Sequence, residues 1–121
     1  MSSFDVTVLD EQEFLRVTTM GQYSLAGLFE MLTSASAEAK RLEKTRVLID
    51  SRLLEGNMTE AERFEGGQKI AKLFGPRIKL AVVMPAEKIT GLGQLAAANR
   101  GARFFVTPSE QDALDWLLGP G

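Results

Sequence analysis

The chain has 121 residues, the length of one ordinary domain, and 45% of them are hydrophobic, enough to close a core without metals or disulfides. Lys and Arg number 14 against 16 Asp and Glu, a net charge of −2, which argues against a dedicated nucleic-acid binder. Cysteine and histidine are both absent, which removes thiolate nucleophiles, disulfides, Ser-His-Asp catalysis and the sulfur or imidazole ligands of most zinc sites.

Met1 to Asp5 has neither a basic stretch nor an apolar run, so no signal peptide is expected. No apolar run reaches the length of a membrane span, and a cytoplasmic protein is the expectation. Phe4 to Leu9 alternates apolar and polar residues, the period of a half-buried strand. Asp10 to Glu13 is a polar turn, and Phe14 to Met20 reads as a second strand that closes an antiparallel hairpin. Gly21 breaks that strand. Ser24 is placed to cap a helix whose apolar residues, Leu25, Leu28, Phe29, Leu32, Ala35, Ala39 and Leu42, follow the helical period. Lys40, Arg41, Lys44 and Arg46 cluster at its end, where cations complement the helix dipole.

Arg46 to Asp50 is a short apolar run ending in an acid, as in a strand buried on both faces. Thr59 to Glu62 forms a capping box for a helix that carries Phe64, Ile70, Ala71 and Phe74 and stops at Gly75-Pro76. Gly66-Gly67 inside it lowers helix propensity, which points to close packing or a weak point ahead of a ligand approach. Ile78 to Met84 is the clearest strand. A helix over about Thr90 to Asn99 ends at Gly101, a left-handed cap, and Ala102 to Val106 is a short strand. Thr107 to Glu110 reads as another capping box, with Pro108 at the first helical position, for a last helix holding Ala113, Leu114, Trp116, Leu117 and Leu118. The expected fold class is therefore α/β, in the order ββαβαβαβα. It is a single domain over residues 1–121 with a mixed, mostly parallel sheet opened by an antiparallel hairpin and helices on both faces.

In this order, Phe14-Leu-Arg-Val17, Arg46-Val-Leu-Ile-Asp50, Leu80-Ala-Val-Val83, Ala98-Asn-Arg-Gly101 and Ala113-Leu-Asp-Trp-Leu117 span nearly the whole chain. Their order and spacing resemble the STAS superfamily, in particular the small bacterial SpoIIAA-like proteins, related in shape to lipid-binding CRAL-TRIO domains. The resemblance implies a small α/β fold without catalytic machinery, acting by docking on a partner protein. It also implies a phosphorylatable Ser or Thr in an Asp-Ser-Ser-Gly-like motif. Here Asp50-Ser51 is followed by Arg52-Leu53-Leu54, and the next helix starts only at Thr59, so the chain departs from the motif.

Asp50 and Ser51 sit at the carboxyl end of an expected parallel strand, where α/β sheets place their ligands. With Arg52, Glu55 and Thr59 they are the candidate interaction or phospho-switch face, against the plainer reading of loop hydrogen bonds and a helix cap. Asp10, Glu11 and Asp50 loosely mimic the acids of a two-component receiver, but Thr107 stands at its lysine position and Met84 at its Ser/Thr position. Gly91-Leu-Gly93-Gln-Leu-Ala96 matches the dinucleotide pattern G-x-G-x-x-A, but Pro85 to Thr90 separate it from the preceding strand, which favours packing. Phe64, Phe74, Phe104, Phe105, Met20, Met31, Met58 and Met84 are candidates to line an apolar pocket, led by Phe64, Phe74, Met84 and Phe105; core packing is the competing account. No cofactor or metal is expected, and no carboxylate–Lys pair is spaced for acid–base catalysis. The leading expectation is a non-enzymatic regulatory domain acting through a partner protein or a homodimer; the alternative is a binder of a small apolar or lipid-like ligand, and a receiver-like or carboxylate-based enzyme comes third.

Overall fold

The computed structural model describes residues 4–120; Met1 to Ser3, and with them most of the N-terminal stretch read for a leader, lie outside the described residues. Strand β1 (Phe4–Asp10) and strand β2 (Leu15–Gln22) form the antiparallel hairpin, with Val8 opposite Val17. Helix α1 (Leu25–Arg41) follows, and the Ser24 hydroxyl accepts the Gly27 N–H at its start. Strand β3 (Arg46–Glu55) runs five residues past Asp50, because the chain continues to pair with β2 as far as Gln22. Helix α2 (Glu60–Phe74) opens on the Thr59–Glu62 capping box, with both reciprocal hydrogen bonds formed. Strand β4 (Lys79–Val83), helix α3 (Leu92–Ala98), strand β5 (Arg103–Thr107) and helix α4 (Glu110–Leu118) complete the order.

Gly101 has φ +86°, the left-handed conformation its place after α3 requires. One cap differs from expectation. The helix N-cap of α4 is Ser109, which accepts the Asp112 N–H, while the Thr107 hydroxyl accepts the Ser109 N–H one step earlier. Thr107 is still in β5, paired with Val83, so Pro108 lies before the helix rather than in its first turn.

The five strands lie in sequence order, β1-β2-β3-β4-β5, with every pair after the first parallel. This order has a consequence. Right-handed crossovers that all step the same way across a sheet must put their helices on one face. Accordingly α1, α2 and α3 share one core with Leu15, Val17, Val47, Ile49 and Leu80. The alternate residues, Leu48, Ala81 and Val83, point the other way and form a second core with Phe14 and with Ala113 and Leu117 of α4. Val47, Leu48 and Ile49 are buried together, so β3 is covered on both faces in its first half. The buried Lys79 ties α4 to the sheet: its Nζ donates to the Trp116 carbonyl at 2.6 Å and lies 4.6 Å from the Trp116 ring centre.

A helix is about 10 Å wide and strands lie about 4.8 Å apart, so one helix covers two to three of the five strands. Helix α4 packs on β3, β4 and β5, and no described helix covers that face over β1, β2 and the distal half of β3.

Candidate functional site

Two regions near the carboxyl ends of the parallel strands stand out, and the sheet separates them.

The first is the uncovered sheet face. By register, Leu9 and Arg16, Thr7 and Thr18, and Asp5 and Met20 share this face on the hairpin. Leu48, Asp50 and Leu53 continue it on β3, where a bulge between Thr18 and Met20 shifts the pairing by one residue. Met20, 37% exposed, and Leu53, 64% exposed, are paired neighbours on this face, while Leu9, 53% exposed, stands apart opposite Arg16, beyond Thr7 and Thr18. A charged rim separates the pair from α4. Arg52 donates to both Asp50 carboxylate oxygens, at 3.0 and 2.8 Å, and to Glu110 Oε1 at 2.7 Å. Arg16 bonds Glu11 at 2.7 Å and reaches the other Glu110 oxygen at 3.4 Å. The Arg52 guanidinium, and not burial, dominates at Asp50 and holds its pKa below the ordinary carboxylate value.

The second region is a cavity of about 130 Å³ on the opposite face, beneath α1, α2 and α3. Ile49, Ser51, Val82, Met84, Phe104 and Val106 form its floor, and Leu28, Met31, Leu32, Gly66, Gly67 and Ile70 its roof. Leu54 to Met58 and Lys88 to Gln94 supply its mouth, together with Tyr23 and Arg63. Arg63 Nη1 donates to the Lys88 carbonyl at 2.5 Å, and Lys88 Nζ donates to the Leu54 carbonyl at 3.0 Å, so one cationic strap joins α2, β3 and the turn after β4. The Tyr23 hydroxyl is buried without a hydrogen-bond partner. Burial, followed by the nearby Glu62 carboxylate, pushes its pKa up to about 12, so it keeps its proton.

The candidate switch residues are therefore divided. Asp50 and Arg52 lie on the open face. Ser51 turns to the cavity side, where its hydroxyl accepts from buried Thr19 at 2.9 Å. Glu55 is exposed at the end of β3, and its carbonyl accepts the Tyr23 N–H. Thr59 is exposed and occupied as the cap of α2. Alternation explains the split: successive strand residues point to opposite faces.

The pocket candidates divide similarly. Met84, Phe104, Met31 and Met58 line the cavity. Phe74 is buried in the main core. Phe64 is 40% exposed on α2 beneath Arg100, Phe105 stacks on Trp116 on the α4 side, and Met20 is on the open face. Tyr23, Arg63 and Lys88 at the mouth were not singled out as ligand groups by sequence, because their convergence depends on three separate connections. The one signal available was the lone tyrosine at the start of α1.

The remaining motifs resolve into structure. Asp10 pairs with Lys44, Glu11 with Arg16 and Asp50 with Arg52, so the receiver-like acids are each held by a different cation instead of gathering. Leu15 to Met20 lie in β2, where a receiver would have a helix. Gly93 of the G-x-G-x-x-A stretch packs against Gly67: a Cβ on Gly67 would stand 2.3 Å from the Gly93 carbonyl oxygen. The basic cluster after α1 is also engaged, with Lys40 on the Leu73 carbonyl, Arg41 on Glu38 and Lys44 on Asp10. No group of three or more carboxylates is arranged to hold a metal ion among the described residues, and no described helix is long and apolar enough to cross a membrane.

A mixed sheet in sequence order, opened by a hairpin and backed by three helices with a fourth on the far side, is the STAS or SpoIIAA-like fold. An anti-sigma factor antagonist from Mycobacterium paratuberculosis superposes with a TM-score of 0.65 at 17% identity, over 97% of this chain and 96% of that one. An uncharacterised protein of the DUF3478 family with a SpoIIAA-like fold, from Shewanella loihica PV-4, superposes with a TM-score of 0.59 at 20% identity, over 97% of this chain and 95% of that one. No protein-family model matches the chain, and no curated protein matches it.

Proposed function

We propose that the chain is a cytoplasmic, non-catalytic regulatory domain of STAS type that works by docking a partner protein on its open sheet face. The observation that carries the reading is the exposed Met20–Leu53 pair, with Leu9 further along the same sheet surface, which no described helix covers. Isolated exposed leucines are ordinary, whereas an apolar pair beside a fixed charged rim has the anatomy of an interface: an apolar centre and a polar border. Asp50, Arg52 and Glu110 supply the border here, and Glu55 extends it along the end of β3. The fold shared with an anti-sigma factor antagonist supports the same reading. Thr59 is the exposed hydroxyl of the candidate switch pair, and a phosphate there would add negative charge beside Glu60 and Glu62 at the helix start.

The test is cross-linking of the tagged chain in its own cells, followed by purification and mass measurement, with Leu9→Lys/Leu53→Lys and Arg52→Ala/Glu55→Ala as comparisons. A stoichiometric protein cross-linked to the wild type and lost from the leucine variant is the expected result. A cross-linked second copy, lost in the same variant, moves the reading to a homodimer. A partner kept by both variants at wild-type level places docking elsewhere and sinks the proposal.

A further inference from the structure

The cavity beneath α1, α2 and α3 lies on the side of the sheet away from the proposed docking face and is not used by it. Three observations bear on what it holds. Its size is about 130 Å³, comparable to an engineered cavity of about 150 Å³ that accepts benzene. Its walls are mostly apolar, with Met31, Met84 and Phe104 among them. Of its polar side chains, Ser51 and Gln94 already accept from Thr19 and from the Val106 N–H, while Tyr23 and Arg63 are donors. The Tyr23 hydroxyl is buried there with no partner at full hydrogen-bond geometry, although the Glu62 and Glu65 carboxylates lie near it. The Arg63 side chain is 12% exposed, and its Nε stands 3.3 Å from Glu60, an ion pair without hydrogen-bond geometry.

A buried donor without a partner carries a desolvation cost that a bound acceptor removes. Arg63 is a nearly buried cation whose paired carboxylate, Glu60, is 68% exposed and so weakly coupled. Of the two acids near Tyr23, Glu62 and Glu65, Glu62 has one oxygen committed to the Thr59 N–H in the capping box. An acceptor placed between Tyr23 and Arg63 would serve both donors, while an apolar body behind it would fill the cavity.

We propose that this cavity binds a small carboxylic acid whose apolar part is a single ring or a short branched chain, with the carboxylate at Tyr23 and Arg63 and the apolar part against Met31, Met84 and Phe104. Gly66 gives the cavity a sharp test. A Cβ added there meets only Leu28 at 3.5 Å and Met58 at 3.6 Å, both ordinary contacts, so a longer side chain can grow into the cavity from a helix that gains propensity.

The experiment is NMR titration of the full chain with phenylacetate and with 4-methylpentanoate, with 2-phenylethanol as the neutral counterpart. Either acid is expected to shift the resonances of Met31, Met84 and Phe104 with a dissociation constant on the order of 1 mM or below. Tyr23→Phe and Arg63→Met should each weaken binding about ten-fold. Gly66→Leu should abolish it while the spectrum stays folded, and Gly66→Ala should bind and serves as the control if the leucine does not fit. No shift with either acid at about 10 mM overturns the proposal. Binding unchanged in folded Gly66→Leu removes the site, and 2-phenylethanol binding as tightly as phenylacetate removes the carboxylate from the ligand class.

Discussion

Gly66 and Gly67 are adjacent and both buried, yet they do different things. Gly67 lets α2 approach the backbone of α3; a methyl group there would overlap the Gly93 carbonyl oxygen at 2.3 Å and meet Ala96 at 3.0 Å. Gly66 faces the cavity with room to spare. Gly66→Ala is therefore expected to stabilise the chain by about 0.5–1 kcal/mol, through helix propensity and a smaller unfolded ensemble. Gly67→Ala is expected to destabilise it by about 1–3 kcal/mol despite the same propensity gain. Urea unfolding of the two single variants checks this, and equal shifts of the same sign would refute it. The sequence shows a costly glycine pair and its readings, packing or a weak point ahead of a ligand approach. Which glycine touches what depends on α3, which no local pattern reaches.

Asp50 belongs to the same scale. Its folded pKa lies below its unfolded value, mainly through the Arg52 hydrogen bond, so its contribution to stability is present above about pH 4 and is lost as the pH falls through the folded value. Arg52 is 43% exposed, so solvent screens the pair, and Asp50→Asn should cost only about 0.5–1 kcal/mol at pH 7. Denaturant titrations between pH 3 and 7 should show the wild type losing more stability on acidification than the variant. Parallel pH profiles would mean the pair contributes nothing to folding.

At the scale of elements, α4 is the informative one. Leu114, Trp116, Leu117 and Leu118 all read as apolar helix residues, but only Ala113 and Leu117 are buried in the second core. Leu117→Ala is expected to cost about 2–4 kcal/mol, and Leu118→Ala, at a site 37% exposed, less than about 0.5 kcal/mol. Unfolding midpoints of both variants measure the difference. The boundaries of α4 also show where local reading stops. The local pattern of Thr-Pro-Ser-Glu places the cap at Thr107, but pairing of Thr107 with Val83 keeps it in β5 and moves the cap to Ser109. The capping boxes at Thr59 and the cap at Ser24 met no such competitor and formed where the local sequence placed them. Strand β3 outran its apolar run for a related reason: hydrogen bonding to β2 carried it through Ser51 to Glu55.

At the scale of the whole molecule, strand order and handedness settle which surfaces are free. Three crossovers in one direction place three helices on one face, and the single remaining helix cannot cover five strands. The exposed apolar side chains of the open face contribute little to folding, because they are already in water. Leu9→Lys/Leu53→Lys should therefore stay within about 0.5 kcal/mol of the wild type in urea unfolding. A larger loss would mean that the face has a packing role, and would weaken its use as evidence of docking.

The α/β class, the hairpin, the order of elements and most helix caps were determined by the sequence itself, because they rest on periods of two and 3.6 residues and on contacts within a few positions. The exclusion of thiol and imidazole chemistry was equally direct, since it depends only on which side chains exist. The tertiary structure alone decided that Ser51 faces away from Asp50 and Arg52 as part of a bulged strand, that Phe64 and Phe105 miss the cavity while Phe104 lines it, and that Tyr23, Arg63 and Lys88 meet at its mouth. Each of these outcomes depends on the register of one strand against another or on the angle at which a helix crosses the sheet. Those quantities are set by packing among residues far apart in the chain, and no window of the sequence contains them.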